Sequence, residues 1–206
     1  PRGLHRIDPE TLAVRRTELR ARGDRPPSDA DPQCLAVDRF GGLWLGTNAG
    51  GLRYADASTR GFTLYRKEAI GPQVLASSFV RAVIRDRERT LWVGTPKGLS
   101  RIDATGAALS PWRPPSAEAA RLLDGYIQAL HEDRGGNLWI GTTSGLVVKE
   151  PSGAARVYRH RPDEARSLSE DFVQVIHESP DGRVWIGTLG RGLNEFEPRT
   201  RSFRRY

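Results

Sequence analysis

Cysteine and methionine are nearly missing: the 206 residues hold one cysteine, Cys34, and no methionine. A lone thiol excludes an intramolecular disulfide and leaves the redox compartment undecided. No stretch of about 20 apolar residues is present to cross a bilayer as a helix, and no signal-peptide pattern opens the sequence. Histidines number four. No Cys-His metal box, Gly-rich phosphate loop or Gly-x-Ser-x-Gly elbow accompanies them, so neither a metal centre nor a cofactor nor a recognisable nucleophile is expected. Lysine is scarce as well. Only three of the 32 basic residues are lysines, the rest being arginines, and the net charge is +7. The arginines are scattered through turns and strand ends instead of forming one tract, which argues against a nucleic-acid partner. An anionic ligand or an anionic membrane surface fits that charge better.

What is abundant is repetition. A tryptophan recurs in almost one phrase: LWLGT at Trp44, LWVGT at Trp92, LWIGT at Trp139 and VWIGT at Trp185. A period of 46 to 48 residues marks a repeat architecture, most often a β-propeller. Six residues before each tryptophan stand Asp38, Asp86, Asp133 and Ser179, followed by turn-formers such as Gly41-Gly42 and Pro180-Asp181-Gly182. Such residues bond their own backbone and close a hairpin. A single acid per copy is too few for a calcium loop, which needs several oxygen ligands.

β-rich runs precede the hairpins at 79–84, 126–131 and 172–177, and the Trp-aliphatic-Gly-Thr strand follows them. After Thr47, Thr95, Thr142 and Thr188 a second turn closes on Gly51, Gly98, Gly145 or Gly192. Third and fourth strands then end near Tyr65, Trp112, Tyr158 and Tyr206. Four antiparallel strands make one propeller blade. Four complete blades are expected at about 31–66, 78–113, 125–159 and 171–206. The segment from Gly3 to Thr11 aligns with Gly192 to Thr200, so residues 1–20 read as the outer half of another blade. That phase suggests a fragment of a larger, seven-bladed ring.

The repeated tryptophans and glycines read as architecture first. A large aromatic once per blade fills the space between blades, and the glycine after it lets neighbouring sheets approach. Cys34 shares its position with Ala82, Ala129 and Val175 and reads as a small buried side chain. His131 and His177 share a position where other copies have Ala36 and Ile84, so imidazole is tolerated there; a pair lining a channel is the alternative.

Two sets of polar residues fall on one rim, where the chain enters the first strand and turns between the second and third. Eleven residues before tryptophan stand Gln33, Arg81, Gln128 and Gln174. Four to six residues after it stand Asn48, Lys97, Thr143 and Arg191. Polar residues inside an apolar strand either bond a neighbouring blade or line the funnel for a ligand. The linkers differ most between copies: 67–77 has a Gly-Pro break, 113–124 a short helix at 117–123 whose Leu122-Leu123 could pack as a lid, and 159–170 is acidic and proline-bearing.

The stretch 167–206, SLSEDFVQVIHESPDGRVWIGTLGRGLNEFEPRTRSFRRY, resembles the two-component regulator propeller repeat. Its specific elements are the Ser-Leu-Ser lead-in at 167–169, the Asp-x-x-Gly-x-aliphatic-Trp-aliphatic-Gly-Thr core and the Gly-Leu with an aromatic-acidic ending at Phe196-Glu197. The resemblance implies the periplasmic sensor region of a membrane-bound histidine kinase or diguanylate cyclase. It implies no enzymatic role for this segment, a small-molecule or oligosaccharide ligand, and contact with the rest of the receptor. Two other readings stay open: a module that only assembles the receptor, with homo-oligomers formed through open blade edges, and a propeller lyase or hydrolase using His131 and His177.

Overall fold

In the computed structural model the described residues are 4–17, 31–37, 41–55, 63–67, 75–103 and 109–206. Asp38, residues 1–3 and 18–30, and the Gly-Pro break of the first linker fall outside them. Strands β1 (Leu4–Ile7) and β2 (Val14–Thr17) pair antiparallel as a separate hairpin. Each later repeat forms one four-stranded antiparallel sheet in sequential order. The first contains β3 (Pro32–Val37), β4 (Leu43–Thr47), β5 (Leu52–Ala55) and β6 (Thr63–Tyr65). The second contains β7 (Ala82–Arg85), β8 (Leu91–Thr95), β9 (Gly98–Ile102) and β10 (Leu109–Pro111). The third contains β11 (Ile127–Glu132), β12 (Leu138–Thr142), β13 (Gly145–Lys149) and β14 (Ala155–Tyr158). The fourth contains β15 (Val173–Glu178), β16 (Val184–Thr188), β17 (Leu193–Glu197) and β18 (Ser202–Arg205). First strands lie side by side, β3 against β7, β7 against β11 and β11 against β15. That is the propeller arrangement expected from the repeats, with four complete blades.

The sequence boundaries need two adjustments. The run 79–84 becomes strand only from Ala82, because the Val80 N–H donates across the blade junction to Thr47 O at 2.9 Å. Strand β10 stops at Pro111, although the Trp112 N–H still donates to Leu99 O at 2.9 Å. The short helix occurs as α1 (Ala117–Leu123), capped by Ser116 Oγ accepting from the Ala119 N–H. Its Leu122 and Leu123 are buried in the cluster that joins the second and third blades. The pair therefore packs as part of the core.

Cohesion resides at the blade junctions. Trp44 packs with Leu75, Val80 and Val93; Trp92 with Leu123, Ile127 and Ile140; Trp139 with Val173, Ile186 and Phe203. The tryptophan of one blade thus sits in a cluster with the following blade's inner strand, and fully burying one such side chain contributes about 2–3 kcal/mol. The glycine two residues later makes the approach possible. A methyl group at Gly46, Gly94 or Gly141 would lie 2.6 Å from a side-chain methyl of Val80, Ile127 or Val173. In the last blade Val175 and Leu193 are 54% and 39% exposed, whereas their counterparts Ala129 and Leu146 are buried. The difference is the junction that covers the latter pair.

The residue six before tryptophan has a second task besides its turn. Asp86 Oδ1 accepts from the Thr90 N–H and Asp133 Oδ1 from the Asn137 N–H, as expected of turn-formers. The other carboxylate oxygen accepts the indole N–H of Trp92 or Trp139, each at 2.7 Å. Ser179 Oγ takes the same role for Trp185 at 3.2 Å. The indole N–H is thereby satisfied in these three copies. The Ser-Leu-Ser lead-in is structural too. Ser167 Oγ accepts from the Arg161 N–H and from Arg205, and Ser169 bonds Asn194 and Thr188 Oγ1.

Candidate ligand-binding rim

The polar residues eleven before tryptophan sit on β-bulges. Pairing runs from Pro32–Thr47 to Cys34–Gly46, from Ile127–Thr142 to Ala129–Gly141, and from Val173–Thr188 to Val175–Gly187. Each skip leaves one residue out of the ladder: Gln33, Gln128 and Gln174. A bulge releases its residue from strand alternation and re-aims the side chain. Arg81 fills the same repeat position just ahead of β7, its N–H donating to Gly94 O at 2.9 Å. Backbone bonds from Asn48 to Asp31 O, Thr143 to Tyr126 O and Leu189 to Phe172 O tie the turn after the second strand to the start of the first. Both expected sets of residues therefore share one rim.

On that rim three residues from three blades touch. Arg81 Nε and Nη2 donate to Gln128 Oε1 at 3.3 and 3.2 Å, and Nη1 donates to Gln33 Oε1 at 3.2 Å. The guanidinium carbon stands 5.4 Å from the Phe79 ring centre and 5.9 Å from that of Tyr126. Those two rings meet edge to face at 6.3 Å. Cation–π attraction at partly desolvated sites is worth about 0.5–2 kcal/mol. Among the described residues no carboxylate accepts from Arg81. The charge is held by amide oxygens and aromatic faces alone.

The other expected residues stand apart from this group. Gln174 is exposed at the far end of the row. Asn48 and Lys97 are exposed on their turns, the Lys97 N–H bonded to Thr95 Oγ1. Thr143 is half-buried, and Arg191 pairs with Glu170 at 3.3 Å. Phe79 and Tyr126 were not singled out from sequence. Their signal is an aromatic thirteen residues before tryptophan in three copies, the third being Phe172.

Cys34 lies beneath the row. Burial pushes its thiol up to about 11, against weaker opposing effects of a Gly46 backbone hydrogen bond and the Arg81 charge. The group is protonated at neutral pH and unreactive, in keeping with a packing role. His131 and His177 do come together, with ring centres 6.4 Å apart. Burial lowers the basicity of His131; the Glu178 and Asp133 charges oppose that, and His177 adds to it. Among the described residues no three His, Cys, Asp or Glu side chains converge as a metal site.

The opposite rim is built for cohesion. Arg87 clasps the next blade: its N–H and Nε donate to Glu132, Nη1 to Arg134 O and Nη2 to Asp133 O. Arg134 repeats the device one blade on, through its N–H to Glu178 and Nη1 to Pro180 O.

Residues 121–144 and 167–190 match the model of the two-component regulator propeller family. Those two stretches carry the two-component regulator propeller repeat. Among solved structures, the chain is similar to the extracellular domain of a hybrid two-component system from B. thetaiotaomicron, at 20% identity and a TM-score of 0.75. The alignment covers 98% of this chain and 27% of that one. Virginiamycin B lyase from Staphylococcus aureus, solved with quinupristin, aligns at 14% identity and a TM-score of 0.62, over 89% of this chain and 57% of the lyase. At these identities both show the shared propeller fold. The chain spans about a quarter of the length of the first and little more than half of the second. No curated protein matches it in sequence. Among the described residues no helix is long and apolar enough to cross a membrane.

Proposed function

We propose that these regulator propeller repeats form a ligand-sensing part of the extracytoplasmic region of a bacterial membrane-bound signalling receptor, and that the ligand engages the bulge row on the inner-strand rim. The carrying observation is the contrast between the two rims. On one, arginines are consumed by carboxylates and carbonyls of the next blade. On the other, a bulge in three inner strands takes a glutamine out of the ladder, and a cation without a carboxylate partner among the described residues joins three blades. Paired charges and complete backbone ladders serve cohesion; re-aimed amides and an unneutralised guanidinium suit recognition. A ligand spanning the row would touch several blades at once and bias their packing, a change that a kinase or cyclase output beyond this segment would read.

A thermal-shift screen with neutral and acidic oligosaccharides, paired with light scattering, tests the reading. Sensing predicts a saturable rise in the unfolding midpoint at unchanged mass. An assembly module predicts no rise with any compound and a mass that grows with concentration, unaffected by rim substitutions.

A further inference from the structure

Arg81 fixes the polarity of the two amides beside it, Gln33 and Gln128. A guanidinium has five N–H donors and no acceptor, whereas a glutamine amide offers an oxygen on one side and an NH2 on the other. Because Arg81 can only donate, Gln33 and Gln128 must both turn their Oε1 toward it, as observed. Gln128 Oε1 thereby accepts twice and Gln33 Oε1 once, and both NH2 groups are turned away from the guanidinium. Among the described residues Gln33 Nε2 bonds only Pro32 O, at a long 3.5 Å. Two guanidinium N–H groups remain beyond the three already used. Two otherwise ambivalent amides thus present their donors around one positive charge, floored by Phe79 and Tyr126.

Resting on the sensing reading above, we infer that the group read by this rim is a carboxylate carried by a small molecule. A carboxylate is acceptor-only when ionised and planar, so it can take the remaining guanidinium donors together with flanking amide N–H groups. A hydroxyl-rich neutral ligand would need acceptors as well as donors from the site, and the row has turned its acceptors inward. The aromatic rings select for an apolar or ring-shaped body behind the carboxylate. Low salt should strengthen the interaction, since the half-buried Arg81 charge stays open to screening by ions.

Isothermal titration of the chain with small carboxylates, uronic and aromatic acids among them, each beside its neutral alcohol or amide counterpart, decides the matter. The expected result is saturable binding of at least one carboxylate and weakening of at least about tenfold for its neutral partner. Arg81→Gln should abolish that preference, Arg81→Lys should retain part of it, and Arg199→Gln, exposed in the turn between β17 and β18, should leave it unchanged. Circular dichroism of each variant checks that the fold is intact. Equal binding of neutral and charged members, lost in Gln128→Ala, would overturn the carboxylate inference while leaving the sensing reading standing. Carboxylate binding that survives Arg81→Gln in a folded variant would overturn the placement. No binding by any member would overturn the inference, and with a silent neutral oligosaccharide screen the sensing reading as well.

Discussion

Replacing Asp133 by alanine should destabilise the chain more than any other single turn substitution, because one carboxylate serves three donors. It accepts the Trp139 indole N–H at 2.7 Å, the Asn137 N–H at 2.9 Å and Asn137 Nδ2 at 2.8 Å. Asp133 and Trp139 are buried, at 7% and 2% exposure, so water cannot replace the indole's partner. A buried donor left unsatisfied costs about 1–3 kcal/mol, and two lost half-exposed bonds add about 0.5–1 kcal/mol each. The expected total is about 2–5 kcal/mol, read as a lowered urea midpoint by far-UV circular dichroism. Ser179→Ala removes a longer bond at 3.2 Å to the half-buried Trp185, and should cost about 1 kcal/mol or less. In a Trp139→Phe background there is no indole donor to orphan, so the cost of Asp133→Ala should fall by about 1–2 kcal/mol. Equal midpoints for Asp133→Ala and Ser179→Ala, or a cost undiminished in the phenylalanine background, would refute the reasoning.

Further expectations follow from the junctions and the titrating groups. Gly141→Ala places a methyl 2.6 Å from Val173 Cγ1 and should lower the midpoint by about 1–3 kcal/mol; adding Val173→Ala should return part of that loss. Glu132→Ala removes the acceptor of both the Arg87 N–H and Nε and should destabilise by about 1–2 kcal/mol, with high salt narrowing the gap to wild type. Cys34, with its thiol held near 11, should resist iodoacetamide at pH 8 in the folded chain and react readily in urea. His131 has its basicity lowered chiefly by burial. Its unfolded form therefore binds more protons just below the ordinary histidine range, so stability is fully present above about pH 6.5 and is lost as pH falls through that value. His131→Gln should flatten the slope of midpoint against pH between 5 and 7.

Much of this architecture was legible from spacing alone. The tryptophan phrase set the period, the glycine after it marked the close approach of sheets, and linker 113–124 held the short helix expected at 117–123. Those signals are local and repeated, which is why they could be read. The polar row at Gln33, Arg81, Gln128 and Gln174 was visible as polarity inside an apolar strand, but two alternatives stood open: bonds to a neighbouring blade or a funnel lining. The structure shows that the Gln33 and Gln128 oxygens make the first kind of contact; we propose their nitrogens for the second. The bulge beneath the row was hidden, since it depends on which residue of the partner strand is skipped. The Asp133–Trp139 bond and the Arg87 clasp were hidden for a related reason. Each joins positions whose constant spacing was on view while their geometry depends on turn closure or on the next blade. The strand ends also shifted: a bond across the junction at Val80 delays β7 to Ala82, and β10 stops at Pro111.

The central claim is that a ligand is read by the bulge row, and hydrogen exchange with mass spectrometry tests it most directly. The chain is compared with and without the carboxylate that binds it most tightly. The account predicts slowed exchange in peptides covering residues 77–82 and 125–129, where Phe79, Arg81, Tyr126 and Gln128 stand, with the Arg87 and Arg134 hairpins on the opposite rim unchanged. Protection confined to those hairpins or to the outer strands, with the row exchanging as in the free chain, would contradict it.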